Sequence, residues 1–263
     1  MSWACGPRAP HAAHPPELTV FRVLGRFHEI SIATADIRAS VEFYESLGFT
    51  QAPTTDTWSH PYGVLTDGRL FIGLHQRRTP TPALTFVLPG IATHLAAFEG
   101  HGIALTVCRT GDEVFNEIGF LDPFGQAVTV LEARTYSPVA REPSEMSLCG
   151  YFSELSMPAR NFETAKVFWE PLGFVATEEA ETPYVHLSFT SDHLDIAFHR
   201  PRTFDVPMLV FRDPEMPARV AQLRDQGTRM SDAVELPRGL DPESNALIES
   251  PDGTLLLLLH EES

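Results

Sequence analysis

The chain says nearly the same thing twice, about 125 residues apart. Glu29-Ile-Ser-Ile-Ala-Thr-Ala-Asp36 is answered by Glu154-Leu-Ser-Met-Pro-Ala-Arg-Asn161, and Val41-Glu-Phe-Tyr-Glu-Ser-Leu-Gly-Phe49 by Lys166-Val-Phe-Trp-Glu-Pro-Leu-Gly-Phe174. The offset slips by one at His75 and His199, Arg78 and Arg202, and by three more where Asp-Pro-Phe-Gly125 answers Ser-Pro-Asp-Gly253. A repeat this long is a duplicated domain and not a solenoid unit. With 263 residues there is chain enough for two domains of ordinary size. The boundaries expected are a loose Pro-containing tail at 1–26, a first module at 27–135, a linker at 136–150 and a second module at 151–263.

Each half opens with a strand and then a helix ending in Leu-Gly-Phe. Asp36 and Asn161 stand where N-caps belong, and Gly48 and Gly173 close the helices. Arg69–His75 and His193–His199 read as later strands by their alternation. The same plan recurs within each half: a strand at Leu84–Leu88, a helix at Ile91–Glu99, then strands near Ala104–Cys108, Glu117–Leu121 and Gln126–Glu132. In the second half it gives Met208–Phe211, a helix at Pro217–Asp225, then Ala246–Glu249 and Thr254–His260. The class expected is α+β, with four βαβββ units in two pairs.

Charge narrows the partners. A formal net charge of −16 argues against nucleic acid and against an anionic membrane surface. Cys5, Cys108 and Cys149 are too few and too scattered for a disulfide framework or a Cys-x-x-Cys metal site. The longest apolar run, Leu255–Leu259, is far short of a membrane span. A cytoplasmic, small-molecule-handling protein is expected, a monomer before a dimer because the fused modules already supply their own pairing. There is no Gly-rich phosphate loop, G-x-S-x-G elbow or H-E-x-x-H helix.

The strand–Asp–helix–Leu-Gly-Phe signature (Ala35–Phe49, Arg160–Phe174) and the Asp-Pro-x-Gly turn resemble the vicinal oxygen chelate superfamily, which includes glyoxalase I, extradiol dioxygenases and bleomycin-resistance proteins. The resemblance spans roughly residues 27–133 and 151–260. It implies tandem glyoxalase-like modules with concave mixed sheets that hold a ligand and outer helices. It also implies a divalent ion (Fe, Mn, Ni or Zn) in the concavity of the metal-dependent members. Their usual ligand registers fall here on Glu29, Gly73, Ala83 and Thr129 in the first half, and on Glu154, Ala197, Pro207 and Leu257 in the second. That cage is largely lost.

Strand alternation places Glu29 and Ser31, and likewise Glu154 and Ser156, on the concave face, with His75 and His199 two residues past the empty register. Three roles are open to each Glu–His pair. It could be a rearranged metal site completed by Glu117 or His60, an acid–base pair serving a bound organic molecule, or a local structural contact. Arg78 and Arg202 are candidates to hold an anionic ligand at a pocket mouth. Trp58, Tyr62, Phe71, Tyr184 and Phe189 are aromatics near it. The pocket candidates are therefore Glu29, Ser31, His75, Arg78, Thr129, Glu154, Ser156, His199 and Arg202, with Glu29, His75, Glu154 and His199 the candidate metal ligands.

Overall fold

The computed structural model describes residues 23–54, 58–132, 146–231 and 235–261. The expected tail and linker lie mostly outside these residues. Where the tail region is described it is not loose, since Val23 and Leu24 are buried in the core.

The first module contains β1 (Arg26–Ala33), α1 (Ile37–Ser46), β2 (Thr50–Ala52), β3 (Tyr62–Thr66), β4 (Phe71–His75), β5 (Ala83–Val87), α2 (Ile91–Gly100), β6 (Leu105–Arg109), β7 (Glu117–Leu121) and β8 (Ala127–Leu131). The second contains β9 (Tyr151–Pro158), α3 (Phe162–Trp169), β10 (Val175–Ala180), β11 (His186–Thr190), β12 (Ile196–His199), β13 (Met208–Asp213), α4 (Met216–Asp225), β14 (Ala246–Glu249) and β15 (Leu255–His260). The sheets run β2-β3-β4-β1-β5-β8-β7-β6 and β10-β11-β12-β9-β13-β15-β14. In each unit the helix carries the chain across so that the first strand lies parallel to the last, as in β1 with β4 and β5 with β8. The paired units join through their first strands, antiparallel. This puts β1 and β5, or β9 and β13, at the middle of a two-sided concavity.

The helix caps are as expected: Asp36 accepts from the backbone of Arg38 and Ala39, both at 3.1 Å, and Asn161 from Glu163 at 2.9 Å. The fourth unit is one strand short among the described residues. After Gly227 the run Thr228–Ser231 offers a single apolar side chain, and Met230 makes only an isolated bridge to Ile248. A segment this polar makes a poor half-buried strand.

The helices lie outside the concave faces, but α1 and α3 are inside the molecule. One apolar cluster unites the convex faces of both sheets with Tyr44 of α1 and Trp169 of α3, both wholly buried. These two residues stand one repeat apart, and each serves the other module. Trp169 donates through Nε1 to Asp122 in the β7–β8 turn of the first module at 3.3 Å. From α1, Ser40 reaches Asp252 in the β14–β15 turn of the second at 3.4 Å, and burial and that same Asp252 push the Tyr44 hydroxyl well above the usual tyrosine range. Ring contacts Phe49–Phe211 and Phe124–Phe198 extend the seam. No helix among the described residues is long and apolar enough to cross a membrane.

Candidate functional site

Alternation sends Ile30 and Ile32 of β1 into the helix-side core and Glu29 and Ser31 onto the concave face. Both face inward, and Glu29 is 1% exposed. Its carboxylate collects three donors: Ser31 Oγ at 2.7 Å, Tyr62 Oη at 2.6 Å and His75 Nε2 at 3.0 Å. A carboxylate only accepts, so every proton in this cluster points at it. Ser31 therefore receives its own hydrogen bond from Thr85 Oγ1, 2.7 Å away. His75 carries its proton on Nε2, and its Nδ1 meets His60 Nε2 at 3.0 Å. The result is a continuous run from half-buried His60 through His75 to Glu29. Burial alone would raise the Glu29 carboxyl, but the His75 hydrogen bond, the charge of His28 and His75 and the Tyr62 hydroxyl together hold it below the ordinary carboxylate value. Burial, Arg77 and His75 hold His60 below the usual histidine range.

The second module has the same residues at the same registers and a different set of bonds. Glu154 accepts from Ser188 Oγ at 2.8 Å, and its Oε1 is buried without a partner among the described residues. His199 pairs with Ser156 Oγ at 2.8 Å and with the Phe204 carbonyl at 3.1 Å. The donors differ, with His186 in place of Tyr62 and Ser188 in place of Val64, and so does one methyl group. In the first module Gly73 stands opposite Ser31 on the neighbouring strand, and the Glu29 carboxylate lies directly over it. A Cβ at Gly73 would overlap the carboxylate carbon and both its oxygens. In the second module the residue opposite Ser156 is Ala197. Its methyl fills that space, so Glu154 turns aside to Ser188 and His199 finds other partners.

The cups differ as well. Strand pairing puts Ala83, Thr85 and Thr129 on the concave face of the first module and Met208, Val210 and Leu257 at the matching places in the second. Met208 is thus the counterpart of Ala83, where the repeat offset had pointed to Pro207; the offset recovers its missing residue across the preceding loop. Met208, Val210 and Leu257 belong to one buried cluster with Tyr184, Phe204 and Leu247, and Leu236 and Leu240 pack against it. The second cup is filled by its own side chains, whereas the first is lined by small and hydroxyl-bearing ones.

Of the candidates, Glu29, Ser31 and His75 are brought together and Thr129 lies on the same face, paired with Thr85. Ser156 and His199 meet, but Glu154 joins neither. Arg78 and Arg202 are exposed on the loops beyond β4 and β12 and touch none of these groups. It is Arg77 that lies over the Trp58 ring, at 5.2 Å. Tyr62, His60, Thr85 and Ser188 complete the clusters. The register that pairs Tyr62 with His75 and Ser188 with Ala197 could have found two of them.

These residues do not fit a divalent centre of three protein ligands. No group of three or more His, Cys, Asp or Glu side chains among the described residues could hold an ion. Glu29 already accepts at both oxygens. His60 binds the far nitrogen of the His75 ring, on the side away from Glu29, so it cannot complete a Glu–His–His triad. Glu117, the other residue considered, is paired with Arg109 at 2.8 Å.

His199 offers a stability test. Burial, and less so His186, depresses it from 6.5 to about 4, the Phe204 carbonyl opposing. Because the folded form resists the proton that the unfolded chain takes up near 6.5, its contribution is present above that pH and is lost as pH falls towards 4. Roughly 3 kcal/mol of stability should disappear across this window. Chemical denaturation at several pH values should show the loss in the wild type and a flatter curve in His199→Phe; parallel curves would refute it.

A two-module α+β chain with paired βαβββ units and one concave face lined by small and hydroxyl-bearing side chains is the class that fold and site define. Residues 26–117 match the model of the Glyoxalase/Bleomycin resistance protein/Dioxygenase superfamily, and the second module repeats the fold of the first. Among solved structures, the chain resembles a catechol 2,3-dioxygenase at TM-score 0.58 and 15% identity, over 89% of this chain and 87% of that one. It resembles an extradiol ring-cleaving dioxygenase from B. fuscum at TM-score 0.60 and 17% identity, over 91% and 72%. For the 2,3-dioxygenase LapB from Pseudomonas sp. the values are 0.57 and 16%, over 88% and 90%. At these identities the likeness is one of fold. No curated protein matches the sequence.

Proposed function

We propose that the chain is a cytoplasmic, monomeric small-molecule-binding protein that takes its ligand in the cup of the first module. In this reading the Glu29–His75–His60 run, and not a metal ion, supplies the polar chemistry. The observation that carries it is the buried Glu29 carboxylate, laid over Gly73 and hydrogen-bonded to His75, on a concave face lined by small and hydroxyl-bearing residues. Fixed by Glu29, His75 can pass its Nδ1 position between accepting from His60 and donating to it. A proton arriving at half-buried His60 thereby reaches the floor of the cup, as an acid–base pair requires.

Two measurements test this. Thr85→Val combined with Thr129→Leu copies the filled cup of the second module. Small molecules that raise the melting temperature of the wild type should lose that effect in the double variant, since stabilisation follows occupancy. Equal stabilisation of both proteins would place binding elsewhere and sink the reading. Separately, protein equilibrated with Fe²⁺, Mn²⁺, Ni²⁺ or Zn²⁺ and then desalted should retain far less than one ion per chain. A stoichiometric ion that is lost in Glu29→Gln would overturn the metal-free account in favour of a rearranged metal-dependent enzyme.

A further inference from the structure

At the mouth of the first cup stand groups that donate hydrogen bonds or carry positive charge and, among the described residues, have no acid to meet. Trp58 lies over the Glu29–His75–His60 run, its ring centroid 5.1 Å from that of His75 and 5.4 Å from that of His60. Its Nε1 is buried and has no acceptor among the described residues. An indole N–H can only donate, so this is a hydrogen bond waiting for an oxygen from outside the protein. Over the same ring sits the guanidinium of Arg77, which is exposed. Arg77 is close enough to His60 to disfavour its charged form, and no carboxylate among the described residues acts on His60 in the other direction. Such a corner stands out in a chain whose formal net charge is −16.

An apolar wall completes it. The Phe115 side chain is 59% exposed, with its ring 6.1 Å from that of Trp58, and its neighbour Val114 is 53% exposed. An apolar side chain that far out in water beside a lined cup is a surface for a ligand's body.

We propose that this corner receives the oxyanion of the bound molecule, a carboxylate on a small flat apolar body. Trp58 Nε1 donates to one carboxylate oxygen, Arg77 supplies the opposite charge, and the body lies against Phe115. The assignment rests on the cup of the first module being the ligand site and gives that ligand a charge and a shape. It also accounts for Arg77, and not Arg78, being turned over the mouth.

Calorimetric titration with three probes tests it: benzoate, its neutral amide benzamide, and inorganic phosphate. Each is run on the full-length wild type, on Arg77→Gln and on Trp58→Phe. Arg77 is exposed, so its replacement leaves folding untouched; an unchanged melting temperature is the control for Trp58→Phe. Benzoate should bind saturably and at least about tenfold more tightly than benzamide, as loss of a charge-assisted hydrogen bond requires. Arg77→Gln should remove most of that preference, and Trp58→Phe should weaken benzoate more than benzamide. Benzamide binding as well as benzoate, or benzoate indifferent to Arg77→Gln, overturns the oxyanion assignment while leaving the cup as a ligand site. Phosphate binding as tightly as benzoate overturns the apolar body. Heat from none of the three overturns the whole assignment, and the Thr85→Val, Thr129→Leu comparison then decides separately whether the cup binds anything.

Discussion

Gly73→Ala is expected to break the Glu29–His75 pair and to cost about 3–5 kcal/mol, the range for removing one side of a buried charged contact. The added methyl has nowhere to go but into the carboxylate. Glu29 must then rotate off the strand, leaving His75 Nε2 and the Tyr62 hydroxyl without their acceptor inside the protein. The second module already displays the outcome, with Ala197 at this position and Glu154 turned to Ser188. The reciprocal change, Ala197→Gly, should let Glu154 swing towards His199 and lift that histidine from about 4 towards the ordinary range. Denaturation midpoints and the His75 ring-nitrogen shifts report the first effect, and ring-nitrogen shifts of His199 followed against pH report the second. If the His75 ring-nitrogen shifts in Gly73→Ala match those of the wild type, the methyl is not what separates the modules.

Trp169→Ala should be as damaging, about 3–5 kcal/mol, and the damage should cross the seam. The indole is wholly buried, with Phe168 and Phe174 at 5.6 and 5.1 Å, and it donates to Asp122. Asp122 in turn shapes its own turn, accepting from the backbone of Phe124 and Gln126, each at 2.8 Å. Deleting a side chain of the second module should therefore speed amide exchange at 124–126 in the first, and both modules should still unfold in one transition at a lower denaturant concentration. Unchanged exchange in that turn would show the indole to be a local packing residue only.

Much of this was legible in the chain because duplication and alternation are one-dimensional signals. The caps Asp36 and Asn161, the inward faces of Glu29 and Ser31, and the two-residue step to His75 all follow from period and position. What alternation does not encode is which strand lies beside which. Thr85 and Tyr62 join Glu29 only because the sheet order sets β5 beside β1 on one side and β3 beyond β4 on the other. Gly73 read as a vanished ligand, since a register with no side chain looks empty; in space it is the room another side chain needs. That Arg77 and not Arg78 lies over Trp58 was not readable, because alternation stops where the strand does. The filled second cup did have a signal. The run Leu255–Leu259 is apolar on both faces, which a strand lining an open polar cup would not be.

Tyr44 and Trp169 put a different constraint on the pair of modules. Each half is a socket whose plug is carried by the other, so deleting either half would strip the survivor of an aromatic it cannot replace from within. The two halves are consequently bound to be inherited together, even though one has filled its cup. What looks like a spare copy is retained as the lid on its sibling's convex face, and that shelter leaves its own cup free to drift.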